Sequence, residues 1–127
     1  MAAVLLDASA VLAALLQEPG GEAVDARFAE AEIGAVNASE VVAKLVDRGQ
    51  TPAAAEAALR DTLLPVRGFG PADAMRAGRL RAETRGRGLS LADRACLAQA
   101  AGAGLPVLTA DRAWAGLDIG IEVEVIR

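Results

Sequence analysis

Short apolar runs alternate with longer helical stretches along this chain, and this alternation restricts the possible folds more than any other feature. The apolar runs are 2–6, 33–36, 106–109 and 121–126. Residues 63–67 are either a further short strand or a turn. Because strands separated by helices usually pair in parallel, the pattern predicts an α/β fold with a parallel sheet flanked by helices.

Capping and breaking residues mark the ends of the helical stretches. Thr51 followed by Pro52 is a typical helix start, and Gly49 is a typical residue just past a helix. Ser90 is expected to cap the last helix, and Asn37 is interpreted as a cap of the third. The predicted helices are 9–17, 22–31, 37 or 38 to 49, 52–61, 71–85 and 90 to 102 or 104.

Composition narrows the class of protein. A chain of 127 residues is predicted to be one domain, 1–127. Since 54% of it is hydrophobic but only 2% aromatic, the core must consist mainly of Ala, Leu, Val and Ile. The net charge of −4 does not exclude nucleic acid, because binding depends on local basic patches. Cys96, the only cysteine, is predicted to be a buried structural thiol.

The N-terminal segment is apolar enough to be compared with a targeting sequence. No basic residue precedes it, and Asp7 interrupts it. The segment is also shorter than the roughly 18–20 apolar residues that cross a bilayer. We therefore expect a soluble, cytoplasmic protein with no membrane partner.

Four acidic residues fall where predicted strands end or predicted helices begin, namely Asp7, Glu40, Asp93 and Asp111. Ligands of parallel α/β sheets bind at the carboxyl ends of the strands, so these side chains are expected to converge on one edge. The absence of histidine excludes His-dependent triads and His-bearing zinc sites. Carboxylate oxygens suit Mg²⁺ or Mn²⁺.

Each acid also has a local structural explanation. These explanations are a helix cap by Asp7, an ion pair of Glu40 with Lys44, a capping box of Asp93 with Ser90, and a local turn at Asp111. All four holding together is less expected than any one alone, since every acid also falls at the predicted ligand-binding edge.

Several segments resemble the PIN-domain nucleases. The most specific are GLSLAD at 88–93 and LPVLTADRAW at 105–114, while LDASA at 6–10 and ASEV at 38–41 match the opening and second acidic motifs. The matching segments extend over essentially the full chain, in order and with compatible spacing. More narrowly, the chain resembles VapC, the toxin of a bacterial type II toxin–antitoxin pair.

The resemblance implies a three-layer α/β/α sandwich with a mainly parallel central sheet. It implies that Asp7, Glu40, Asp93 and Asp111 bind one or two Mg²⁺ or Mn²⁺ ions, with Ser9 and Thr109 as supporting residues. It further implies metal-dependent hydrolysis of RNA phosphodiesters, leaving a 5′-phosphate and a 3′-hydroxyl. A homodimer and a cognate antitoxin that covers the acidic site are the expected partners.

Arginines are concentrated just before the third acid. Arg76, Arg79, Arg81, Arg85 and Arg87 are opposed there only by Glu83. They form either a solvated helix face or a rim that contacts RNA phosphates. The candidates for RNA contact are Arg85, Arg87, Arg94 and Arg112. Trp114, the only tryptophan, is expected to pack in the core rather than to stack on a base.

Two other functions remain open from the sequence. A phosphotransfer or phosphatase domain would also place an Asp after the first strand, but Asp7 has no second acid two residues later. A degenerate, non-catalytic PIN-like domain would bind RNA or protein without cleaving. Metal-dependent cleavage distinguishes the nuclease from the binding module.

Overall fold

Residues 2–127 are described by a computed structural model, in which five strands form one sheet of order β3-β2-β1-β4-β5. Every pair of neighbouring strands is parallel. The strands are β1 (Val4–Leu6), β2 (Ala31–Gly34), β3 (Val66–Arg67), β4 (Val107–Thr109) and β5 (Val123–Val125). The parallel sheet predicted from the alternating pattern is thereby confirmed, and residues 63–67 do contain a strand.

Six α-helices accompany the sheet. They are α1 (Ala8–Leu15), α2 (Gly21–Asp25), α3 (Ala35–Asp47), α4 (Pro52–Asp61), α5 (Pro71–Glu83) and α6 (Leu91–Ala103). Short 3-10 helices cover Phe28–Glu30 and Arg112–Trp114. No helix within residues 2–127 is both long and apolar enough to cross a membrane.

Successive strand residues face opposite sides of the sheet, and this divides the core into two clusters. Val4 and Leu6 pack with residues of α1 to α4, whereas Leu5 packs with residues of α5 and α6. The three-layer α/β/α sandwich is therefore confirmed. Cys96 and Trp114 are both fully buried in the second cluster, as predicted.

The boundaries predicted around the second strand are wrong. The helix expected over 22–31 ends at Asp25, because Ala31 pairs with Val4 and the chain must already be extended there. The second strand is Ala31–Gly34 rather than 33–36, so α3 begins earlier than predicted. Asn37 consequently lies inside α3 and is buried, and Gly34 occupies the cap position instead.

The direction of the elements brings distant parts of the sequence to one edge of the sheet. In a parallel sheet the carboxyl ends of β1, β2 and β4 lie together, and α1 and α3 start from that side. Helix α6 ends near the amino end of β4. Its first turn lies about 20 Å from that end, at the carboxyl edge of the sheet. The segments that carry the four acids therefore all reach this edge.

Candidate active site at the carboxyl edge of the sheet

Asp7 lies directly after β1 and caps α1. Its Oδ1 accepts hydrogen bonds from the Ala10 amide at 2.9 Å and from the Ser9 hydroxyl at 2.8 Å. Its Oδ2 accepts a hydrogen bond from the Thr109 hydroxyl at 2.8 Å. Only 4% of the residue is exposed, so these donors replace the water that would surround a free carboxylate.

Ser9 and Thr109 connect Asp7 to the segment that carries Asp111. The Ser9 hydroxyl accepts a hydrogen bond from the Ala110 amide at 2.9 Å, and the Thr109 hydroxyl accepts one from the Asp111 amide at 3.0 Å. Each hydroxyl therefore donates to Asp7 and accepts from the backbone that follows β4. This is the geometry that a supporting role requires, while the role itself stays a prediction.

Glu40 is half-buried in the second turn of α3, where an amide side chain holds it. Asn37 Nδ2 donates to Glu40 Oε1 at 3.3 Å and to the Ala92 carbonyl oxygen at 3.2 Å. Within residues 2–127 no ion pair joins Glu40 to Lys44. The structural explanation offered for Glu40 from the sequence therefore does not hold.

Asp93 and Asp111 each bind backbone amides at the start of their own helix. Asp93 Oδ2 accepts from the Ser90 amide at 2.9 Å, and the Ser90 hydroxyl accepts from the Asp93 amide at 3.1 Å, so the expected capping box is present. Asp111 Oδ1 accepts from the Ala113 amide at 2.9 Å. The local explanations of these two acids are confirmed, but each bond occupies only one carboxylate oxygen.

Burial changes the protonation of Asp7. The pKa of Asp7 is raised to about 6, mainly by desolvation and further by the nearby charge of Asp93. Hydrogen bonds from Ala10, Thr109 and Ser9 lower this pKa but only partly offset the desolvation. A nearby cation would favour the ionised form that burial disfavours.

Charges of neighbouring acids also act on Glu40 and Cys96. The pKa of Glu40 is raised, mainly by desolvation and then by the charge of Asp93, against the Asn37 hydrogen bond and the charge of Lys44. Burial raises the pKa of the Cys96 thiol, and the charges of the three acids raise it further. The acids that act on Cys96 are Asp7, Asp93 and Glu40.

The donor chemistry of this edge fits a hard divalent cation. In the described chain, one oxygen of each of three acids accepts no hydrogen bond: Glu40 Oε2, Asp93 Oδ1 and Asp111 Oδ2. Carboxylate oxygens are the ligands that Mg²⁺ and Mn²⁺ prefer. As the side chains stand, however, no three or more Asp, Glu or Cys residues of the described chain form a group that could hold a metal ion.

The candidate RNA-binding arginines differ in how much of their side chain is already engaged. Arg87 Nη2 donates to the carbonyl oxygens of Ala113 and Ala115, and Arg94 Nη1 donates to that of Ala77. Arg112 Nε donates to the carbonyl oxygen of Arg127, the last residue of the chain. Arg85 is exposed and makes no side-chain hydrogen bond or ion pair within residues 2–127. Among these four arginines, Arg85 is therefore the one whose guanidinium has no partner in the described residues.

Sequence reasoning missed the roles of two buried amides, Asn37 and Gln99, each 1% exposed. Gln99 Nε2 donates to the carbonyl oxygens of Arg67 at 3.2 Å and Gly68 at 3.0 Å, and so joins α6 to β3. In the described chain Gln99 Oε1 and Asn37 Oδ1 have no hydrogen-bond partner, and both lie against Gly34. For Gln99 the available signal was a lone polar residue among apolar ones in a helix.

Comparison with known proteins agrees with this architecture. The family model described as the PIN domain matches residues 4–119. No curated protein matches the chain.

Several solved structures share the fold. A DNA-bound VapBC from Salmonella typhimurium is 20% identical over 100% of both chains, with a TM-score of 0.79. A toxin–antitoxin complex from Klebsiella pneumoniae is 20% identical over 98% of both chains, with a TM-score of 0.75. VapBC-5 of Mycobacterium tuberculosis is 24% identical over 98% of both chains, with a TM-score of 0.61. At these identities the structures show a common fold, and the family match extends over most of the chain; this protein therefore belongs to the PIN-domain family.

Proposed function

We propose that this protein is an Mg²⁺- or Mn²⁺-dependent endoribonuclease, the toxin of a VapBC-type toxin–antitoxin pair. The observation that carries the proposal is the pair of hydrogen-bonded links at the carboxyl edge: Thr109 connects Asp7 to the Asp111 amide, and Asn37 connects Glu40 to the carbonyl oxygen of Ala92, the residue before Asp93. The family match over residues 4–119 supports it independently.

The four acids have different tasks in this proposal. Glu40, Asp93 and Asp111 each offer an oxygen without a protein donor, so they would hold the ion directly or through water. Asp7, fixed by hydrogen bonds on both oxygens, sets the negative potential beneath them. A bound divalent cation would lower the pKa of water and neutralise charge on the scissile phosphate.

RNA is the proposed substrate because an exposed arginine stands close to the acidic edge in the sequence. Arg85 lies five residues before Ser90, which caps the helix carrying Asp93. Contacts of this type to phosphate position the strand but do not read its bases.

A covalent phosphotransfer reaction fits the geometry less well. A nucleophilic Asp7 would need an oxygen free to approach phosphorus in line. Asp7 is instead 4% exposed, and both of its oxygens accept hydrogen bonds. Asp7 is therefore better suited to support of a cation than to formation of an acyl phosphate.

A cognate antitoxin and a homodimer complete the proposal. The similar structures from Salmonella typhimurium and Klebsiella pneumoniae are a VapBC and a toxin–antitoxin complex. An antitoxin segment with an arginine would complement the carboxylates at this edge, because a guanidinium binds carboxylate in a bidentate manner. Co-purification of the protein with the product of a neighbouring gene would test the pairing.

The decisive test is cleavage of end-labelled total RNA with Mg²⁺ or with EDTA, comparing the wild type with Asp93→Asn. The substituted amide can still accept from the Ser90 amide, so the capping bond and the fold are retained. We expect a loss of about 100-fold in rate, since the variant removes a charged ligand and even the loss of a residue that orients a ligand costs about 10–100-fold.

Asp73→Asn is the matched control. Asp73 caps α5 as Asp93 caps α6, accepting from the Gly70 amide at 2.9 Å, but it lies outside the four acids. The control should cleave like the wild type, giving 5′-phosphate products that vanish with EDTA. A folded, Mg²⁺-loaded wild type that leaves all RNA intact would instead favour the non-catalytic binding module.

A further inference from the structure

A single buried amide connects two of the four acids. Asn37 is 1% exposed, and its Nδ2 donates to Glu40 Oε1 at 3.3 Å and to the Ala92 carbonyl oxygen at 3.2 Å. The Ala92 carbonyl belongs to the peptide unit that leads directly into Asp93. Both hydrogens of this amide are thus donated. One goes to the candidate ligand Glu40, and the other goes to the backbone that carries the candidate ligand Asp93.

Glu40 depends on this contact more than the other acids depend on theirs. Asp7 is held by several donors, and Asp93 and Asp111 are held by backbone amides of their own helices. In the described chain the carboxylate of Glu40 accepts a hydrogen bond from Asn37 alone. A long carboxylate side chain without a partner samples several rotamers, and ordering it costs conformational entropy.

We propose that Asn37 is a positioning residue that fixes the Glu40 carboxylate relative to Asp93, and so sets the affinity of the edge for a divalent cation. This inference rests on the proposed function. Asn37 contacts neither RNA nor the ion and acts only through Glu40 and the first turn of α6. Side chains that orient metal ligands in this way typically alter metal affinity by about 10–100-fold when they are replaced.

The chain offers a matched control for the loss of a buried amide. Gln99 is also 1% exposed and also donates two hydrogen bonds, but both go to carbonyl oxygens on β3 and the residue after it. The oxygens of both amides are without a partner in the described residues. Asn37→Leu and Gln99→Met therefore remove the same chemical group at similar volume, one that hydrogen-bonds Glu40 and one that hydrogen-bonds none of the four acids.

The experiment titrates Mn²⁺ into each folded variant by isothermal calorimetry. We expect Asn37→Leu to raise the Kd for Mn²⁺ by about tenfold and Gln99→Met to leave it unchanged. Both variants should lower the midpoint of thermal unfolding, since both leave buried carbonyl oxygens without a hydrogen-bond donor. In the background of Glu40→Gln, Asn37→Leu should no longer change the Kd, because its effect passes through Glu40.

Each outcome separates the role of Asn37 from the proposed function. If the wild type binds Mn²⁺ and cleaves RNA while Asn37→Leu keeps the wild-type Kd, the positioning role is wrong and the nuclease stands. If the wild type neither binds Mn²⁺ nor cleaves, the proposed function fails and the positioning role fails with it. Asn37→Ser, whose hydroxyl is too short to reach both acceptors, gives the same test if the leucine variant does not fold.

Discussion

The carboxyl edge of the sheet and the two core clusters bury very different side chains. Among residues 2–127, five polar or charged residues are buried, and four of them lie at or beside this edge: Asp7, Asn37, Gln99 and Thr109. The fifth, Thr84, donates to the carbonyl oxygen of Leu80 on its own helix. The core clusters consist of Ala, Val, Leu, Ile, Trp and the Cys96 thiol.

The apolar clusters therefore stabilise the fold, whereas the buried polar residues of the edge are suited to function. Burial of apolar area in the clusters favours folding by about 25 cal/mol per Å². Burial of Asp7 opposes folding at neutral pH, since its pKa rises to about 6. A charge that weakens the free protein at the end of a strand is typical of a ligand-binding or catalytic group.

A cavity in the core should strongly lower the free energy of unfolding, and to the same extent at every pH. Leu97 on α6 is fully buried in the second cluster. Leu97→Ala should lower the free energy of unfolding by about 2–5 kcal/mol, through lost transfer energy and the cavity. Urea denaturation at pH 4.5 and pH 8 measures it.

Leu91→Ala on the same helix is the control for Leu97→Ala. Leu91 is 66% exposed, so its truncation should change the stability by no more than about 0.5 kcal/mol. A loss for Leu97→Ala that appears at one pH only would contradict the distinction between core and edge.

Replacement of Asp7 at the edge should instead raise the free energy of unfolding, and only at higher pH. A folded-state pKa of about 6, above the ordinary 3.8, means that Asp7 favours the folded state below about pH 4 and loses that contribution as the pH rises through 6. In EDTA, Asp7→Asn should therefore gain up to about 3 kcal/mol relative to the wild type between pH 4 and pH 8.

Urea denaturation of both proteins at several pH values measures this gain, because the other titrating groups cancel in the difference. A difference between Asp7→Asn and the wild type that stays constant from pH 4 to pH 8 would show that Asp7 is not desolvated. Added Mn²⁺ should stabilise the wild type more than the variant, since only the wild type keeps the full set of carboxylates.

The sequence predicted those features that depend on local pattern. Short apolar runs indicated the strands, and Ser90 followed by Asp93 indicated the capping box that the structure contains. The end of the helix near residue 25 was not predicted, because pairing of Ala31 with Val4 overrides the helical preference of the segment.

The site was only partly predictable for the same reason. The four acids could be proposed from their places at strand ends and helix starts, and as ligands they remain a prediction. Asn37 was interpreted as a cap, since its partner Ala92 lies 55 residues away and no local pattern reveals that contact. No local pattern reveals the hydrogen bonds that Arg87 donates to Ala113 and Ala115 either.

Replacement of the arginines beside the edge should have the smallest effect of the changes predicted for this molecule. Arg85 is exposed and free of side-chain partners in residues 2–127, whereas Arg87 holds the turn after Asp111 through two carbonyl oxygens. In the background of Asp93→Asn, which is expected to prevent cleavage, Arg85→Ala should lower the slope of log K against log salt by about 0.7 for single-stranded RNA.

Arg87→Ala should instead lower the thermal midpoint, because the 3-10 helix Arg112–Trp114 and the residue after it each lose a bond to the guanidinium. Fluorescence anisotropy of labelled RNA across a salt series, beside thermal unfolding, separates the two effects. An unchanged salt slope for Arg85→Ala would remove it from the RNA interface. Since Arg112 and Arg94 each donate only one bond to the backbone, their remaining donors would then be the next to test.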